Sequence, residues 1–204
     1  MAINFYQNDL PDNLNLPGDL AIDTETKGLN IYQRDRLCLV QISNGDGNAH
    51  LVQFPEREYD KATNLKKLLS DESRLKIIHF ARFDVAAIKI FLNVDMKNIF
   101  CTKIASRLAR TYTDKHGLKD LVKEVLEIDL SKQAQCSDWS GGLTDKQLEY
   151  AASDVFYLHK LKERLYKMLE AENRTALAKK CFCFIESRVE LDILGWQNED
   201  IFAH

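Results

Sequence analysis

The spacing of apolar residues changes once along this chain, and that change constrains the fold more than any other feature. Before about residue 102 the apolar residues fall in short runs that suit strands: Asp19 to Glu25, Arg36 to Ser43, Ala49 to Phe54, Leu75 to Phe80 and Asn98 to Thr102. The loop Asn44-Gly45-Asp46-Gly47 joins the second and third runs as a hairpin. Helical spacing appears between the runs at Asn64 to Leu69 and Asp84 to Phe91. From Lys103 onward the spacing is helical, through Ile104 to Ala109 and Leu118 to Leu126. Thr144 and Gln147 form a capping box that opens a helix running to about Leu169, and a last helix begins near Asn173. An antiparallel three-stranded start followed by strand–helix units predicts an α/β fold, with a mixed five-stranded sheet flanked by helices.

Composition narrows the class. The 204 residues are enough for one domain with its own core, and 45% apolar with 29% charged residues excludes disorder. With no linker or repeat in view, the expectation is one domain over 1–204 with no accessory domain. A net charge of −3 rules out a general polycation, so any phosphate-binding surface is local. The five cysteines are odd in number and include no Cys-x-x-Cys, which disfavours a disulfide framework or zinc ribbon and suits a reducing cytoplasm. The N-terminal residues lack the basic and apolar regions of a signal peptide, and no run approaches a membrane span. The expected setting is therefore cytoplasmic, away from membranes.

Four acids stand where chemistry could use them. Asp23 and Glu25 are two apart at the end of a predicted strand, so both carboxylates leave one face. Asp84 follows the fourth run at a helix opening, and Tyr150 and Asp154 lie four apart on one helical face. Each feature alone has a plainer explanation: a solvated strand edge, a first-turn acid complementing the helix dipole, a half-buried tyrosine. Gathered in one pocket, the carboxylates would take up protons or hold cations, and oxygen-only ligands favour Mg²⁺ or Mn²⁺. Two such ions clamp the attacking and leaving oxygens of a phosphodiester.

The segments IDTETKGL (Ile22 to Leu29), HFARFD (His79 to Asp84) and YAASD (Tyr150 to Asp154) resemble the three motifs of the DEDDy 3′→5′ exonucleases of the ribonuclease D family. The segments Cys101 to Leu121, Leu130 to Trp139 and Leu194 to His204 are more similar still to the short alphaproteobacterial nanoRNase C group. The resemblance implies an RNase H-like fold and two divalent cations, Mg²⁺ or Mn²⁺, held by Asp23, Glu25, Asp84 and Asp154. Tyr150 would be the fifth catalytic residue, holding the nucleophilic water. It also implies a homo-oligomer, a ring of eight in that group. Only about 50 residues follow Asp154, which argues against long structured RNA as substrate.

Around these motifs, Thr24, Leu29, His79 and Phe83 are the expected substrate contacts, with Leu29 as an apolar wedge against the terminal bases. A core-capping leucine, a buried histidine and a core phenylalanine are the plainer roles. The stretch from Lys103 to Lys123 holds six basic residues against Asp114 and Asp120, and Lys103, Arg107 and Arg110 share a helical face. That face is a candidate phosphate-facing or intersubunit surface, with a solvated face as the alternative. Lys132 and Trp139 precede the third motif, and Trp139 could simply anchor the Gly141-Gly142 loop. Trp196, Ile201 and Phe202 are apolar at a terminus that usually frays, and could dock on their own domain or on a neighbouring subunit. The expected function is release of 5′-mononucleotides from the 3′ ends of short single-stranded RNA, dinucleotides included. A DNA 3′→5′ exonuclease and a silent nucleic-acid-binding module are the alternatives.

Overall fold

The computed structural model describes residues 2–130 and 137–204. Lys132 and Cys136 lie outside the described residues. Six strands form one mixed sheet: β1 (Ala2–Gln7), β2 (Leu20–Thr26), β3 (Leu37–Ser43), β4 (Asn48–Gln53), β5 (Lys76–Ile78) and β6 (Ile99–Cys101). Their order is β1-β4-β3-β2-β5-β6. β2, β3 and β4 are antiparallel, whereas β1 runs parallel to β4 and β5 and β6 run parallel to β2.

The expected five-stranded sheet is thus corrected to six. The added strand, β1, is an edge strand whose residues are half-buried or exposed, so it lacks a strong apolar signal. It is held by parallel pairing from Ala2–Asn48 to Gln7–Gln53 and by the Tyr6 hydroxyl, 3.2 Å from Nδ1 of His50. The central strand β2 is different. Leu20, Ala21 and Ile22 are fully buried, so its first half reads as a continuous apolar run and only its end carries polar groups.

Among the described residues seven α-helices pack against this sheet and each other: α1 (Thr63–Ser70), α2 (Ala81–Leu92), α3 (Thr102–Ala109), α4 (Leu118–Leu126), α5 (Asp145–Phe156), α6 (Leu158–Ala171) and α7 (Thr175–Ile193). α5 lies across β2, β3 and β4, α2 packs on α7, and α3 packs on α6. The helix expected from Thr144 to about Leu169 is two helices. The chain breaks at Tyr157, at φ −102°, ψ −6°, with neither Gly nor Pro to mark it. The break lets α5 bury Ala151, Ala152 and Val155 while α6 buries Leu158, Leu161, Leu165 and Leu169. Among the described residues no helix is long and apolar enough to cross a membrane.

Candidate active site

β2 carries Asp23 and Glu25 out of the apolar core to the end of the sheet. Alternation along the strand sends both side chains to the face where α5 lies. The α5 start is fixed by its capping box: Thr144 Oγ1 accepts from the Gln147 backbone N–H, and the Gln147 side chain reaches back to Thr144. Two turns later α5 presents Asp154, and one carboxylate oxygen from each of Asp23, Glu25 and Asp154 lies within 4.8 Å of the others.

Asp84 arrives from α2. The residue before that helix, Phe80, has φ +61°, ψ +44°, a left-handed conformation that costs a bulky residue about 1–3 kcal/mol. The turn places Asp84 in the first turn of α2, buried, where the Thr24 hydroxyl donates to its Oδ1 at 2.7 Å. Thr24, whose buried side chain leaves β2 on the face opposite Asp23 and Glu25, thereby orients Asp84.

The electrostatics follow from burial and crowding. Burial raises Asp23 well above the carboxylate range, and the charges of Asp84, Asp154 and Glu25 raise it further. Burial and the Asp154 and Asp84 charges push Glu25 up to about 9. Burial lifts Asp84 to about 7 against the opposing Thr24 hydrogen bond, and lifts Asp154 to about 7 against a hydrogen bond from Tyr150. The Tyr150 hydroxyl is itself held protonated by burial and by the neighbouring acids. Gln41, opposite Asp23 in the β2–β3 pair, is fully buried with both amide atoms unpartnered. An all-oxygen donor set, mutual repulsion and an unpartnered amide beside it suit a divalent cation. The residues fit the cations.

Trp139 has a role that sequence reasoning assigned only to the adjacent loop. Its ring is buried and packs on the Tyr150 ring, with centroids 6.1 Å apart. The Gln53 amide on β4 donates to the carbonyls of Trp139 and Gly141, at 3.4 and 2.7 Å, so Gln53 anchors this loop from the sheet. An aromatic residue shortly before the YAASD motif is the signal that could have found this support for Tyr150.

The expected substrate contacts divide. Leu29 stands 84% exposed beyond the end of β2, so it does not cap the core and is free to meet a base. Its loop is closed by Asn30 and Asp35, and a Cβ at Gly28 would collide with the Asp35 carboxylate. His79 is held neutral by burial and by Lys103, its pKa pushed down to about 3, with Nδ1 2.9 Å from the Thr102 hydroxyl. Phe83 packs against the core. Lys103 lies 4.1 Å above the Phe80 ring and lines, with Arg107 and Phe184, a groove of about 720 Å³.

Arg110 is a correction. It does not share an exposed face with Lys103 and Arg107 but is fully buried, bonded to the Ser106 hydroxyl, the Lys115 carbonyl and Glu124. The guanidinium stays buried because α3 ends at Ala109 and the chain returning through Lys115 and α4 brings these acceptors around it. The C-terminal segment docks in part on its own domain, with the Phe202 ring 6.2 Å from that of Phe184.

Comparison with known proteins places this arrangement. A family model described as 3′-5′ exonuclease matches residues 6–170. The solved structure of Brucella melitensis NrnC bound to pGG is 53% identical, covering 100% of this chain and 99% of that one, with a TM-score of 0.95. The same protein with bound Mg²⁺ is 52% identical over the full length of both chains, with a TM-score of 0.94. Ribonuclease D of Serratia proteamaculans is 29% identical over 84% of this chain, and DNA polymerase I of Aquifex aeolicus is 32% identical over 78%. The chain spans 45% of the length of that ribonuclease D and 26% of that polymerase. The likeness to Brucella melitensis NrnC runs over the full length, the fold is RNase H-like, and the chain belongs to the 3′-5′ exonuclease family.

Proposed function

We propose that this exonuclease is of the DEDDy type and removes 5′-mononucleotides from the 3′ ends of short oligoribonucleotides, dinucleotides included. The observation that carries the reading is the convergence of Asp23, Glu25 and Asp154, from two distant segments, within 4.8 Å. The pGG bound by the Brucella relative supports a two-nucleotide substrate, and its Mg²⁺ supports the cation.

Asp23, Glu25, Asp84 and Asp154 hold two divalent cations, Mg²⁺ or Mn²⁺. When bound, the cations neutralise phosphate charge and act as Lewis acids. Thr24 fixes the Asp84 carboxylate. Tyr150, kept protonated, orients the attacking water with its hydroxyl while Trp139 backs its ring. The water gives up a proton to solvent as its oxygen bonds to phosphorus, the bond to the 3′ oxygen of the preceding nucleotide breaks, and that oxygen takes a proton from solvent. Leu29 meets the bases without reading their edges, which suits degradation of any sequence. Lys103 and Arg107 supply cationic charge toward the backbone phosphates. The four described free thiols suit a cytoplasmic setting, and a homo-oligomer, a ring of eight by resemblance, is the assembly we assign.

The likeness to DNA polymerase I favours one second reading, trimming of DNA 3′ ends by the same acids. Initial rates on labelled RNA from two nucleotides upward, beside matched DNA, test the choice. The proposed function expects the highest kcat/KM on the shortest RNA, with loss of activity in EDTA and in Asp154→Ala. Preference for long RNA or for DNA would reject it.

A further inference from the structure

Asp192, near the end of α7, is fully buried yet charged, and the exonuclease chemistry has no use for it. Its Oδ2 accepts from Arg82 Nε at 2.6 Å and from the Tyr32 hydroxyl at 3.3 Å. Its Oδ1 accepts from Arg82 Nη2 at 2.7 Å and from Arg188 Nη2 at 2.6 Å. The two arginines hold this carboxylate below the usual range despite its burial. An arrangement of two cations on one buried anion is an expensive way to stabilise a fold, since apolar packing of equal volume often does as well. Its value lies in fixing geometry.

The three elements joined are the ones that geometry concerns. Arg82 sits in the first turn of α2, two residues before Asp84. Tyr32 lies three residues after Leu29, in a loop tied together by its own hydrogen bonds. Lys27 N–H donates to the Arg36 carbonyl at 2.9 Å, the Asn30 carbonyl accepts from Arg34 and Asp35, and Asp35 Oδ2 accepts from Asn30 N–H at 2.8 Å. A loop so cross-linked moves as a unit, and a tether at Tyr32 sets the position of Leu29. Arg82 Nη2 also donates to the Gln197 carbonyl at 2.7 Å, and Arg188 to that of Glu199 at 3.1 Å, so the C-terminal segment closes over the same point.

We propose that Asp192 and Tyr32 are positioning residues, which, through Arg82, fix the Leu29 loop at a set distance from the acids so that the leucine meets the bases of a bound dinucleotide. The proposal rests on the substrate reading above. Removing Asp192 would strand two arginines and threaten folding, so the test uses Tyr32→Phe, which keeps the ring and deletes the tether. The expected result is a three- to tenfold rise in KM for a diribonucleotide, with kcat within twofold of wild type. In a Leu29→Ala background the same change should alter KM less than twofold, because the loop then has nothing to position. A merely structural tyrosine would not give that dependence. An unchanged KM in Tyr32→Phe, or an effect undiminished by Leu29→Ala, overturns the proposal while leaving the substrate reading intact. A wild-type enzyme inert on the diribonucleotide overturns the substrate reading and the proposal together.

Discussion

Replacing Asp84 by Asn should make the cation-free protein less sensitive to rising pH. Asp84 is buried, and its pKa is raised from 3.8 to about 7 because burial disfavours its charge. A carboxylate raised on folding stabilises the fold while protonated. That contribution is complete below the unfolded pKa and is lost as pH climbs through the folded one. A rise from 3.8 to about 7 corresponds to about 4 kcal/mol in full, of which about 2–3 kcal/mol is lost between pH 5 and 8. The assay is urea unfolding in EDTA at several pH values, for wild type and Asp84→Asn. The difference between the two cancels groups that Asp84 does not touch, while Asp23 and Glu25, which its charge raises, titrate lower in the variant and widen the difference in the same direction. Wild-type stability should fall relative to the variant by about 2–3 kcal/mol over that range. Saturating Mg²⁺ should abolish the fall in the wild type, because the cation replaces the proton. Parallel curves in EDTA would refute the claim that Asp84 ionises against its surroundings, and with it the electrostatic case for a cation site.

Two further substitutions separate substrate contact from core support. Leu29→Ala should leave the melting temperature unchanged, since the side chain is exposed, while raising KM for a diribonucleotide about tenfold, from loss of base stacking; unchanged steady-state kinetics would reject the wedge. Arg110→Ala should cost about 3 kcal/mol in chemical denaturation, because it strands Glu124 and the Ser106 and Lys115 groups, and should leave KM alone. A raised KM at unchanged stability would return Arg110 to the phosphate-facing surface.

The residues of the site were legible because their spacing is local. Asp23 and Glu25 declare a shared face by a strand's alternation, Tyr150 and Asp154 by a helix's turn, and the capping box at Thr144 marks where α5 begins. Their convergence was legible only through resemblance, since nothing in the spacing says that α5 crosses β2. Strand β1 escaped notice because an edge strand with no buried residue has no apolar alternation to read. The break at Tyr157 escaped because both sides keep a helical period and the turn is set by what each helix packs against. Arg110 misled for a related reason. Helical spacing groups it with Lys103 and Arg107, but α3 ends there, and the chain returning through Lys115 and α4 covers it. The Asp192 tether joins residues 32, 82 and 192, and no local pattern links positions so far apart.

Asp23, Glu25 and Asp154 converge within 4.8 Å, and the proposed function adds Asp84 to them as holders of divalent cations at the scissile phosphodiester. Anomalous scattering from a crystal grown with Mn²⁺ and an uncleaved diribonucleotide analogue tests it most directly. Two manganese peaks are expected among Asp23, Glu25, Asp84 and Asp154. A single peak would reject the second ion, and a map with no peak among these carboxylates would show that they are not a cation site.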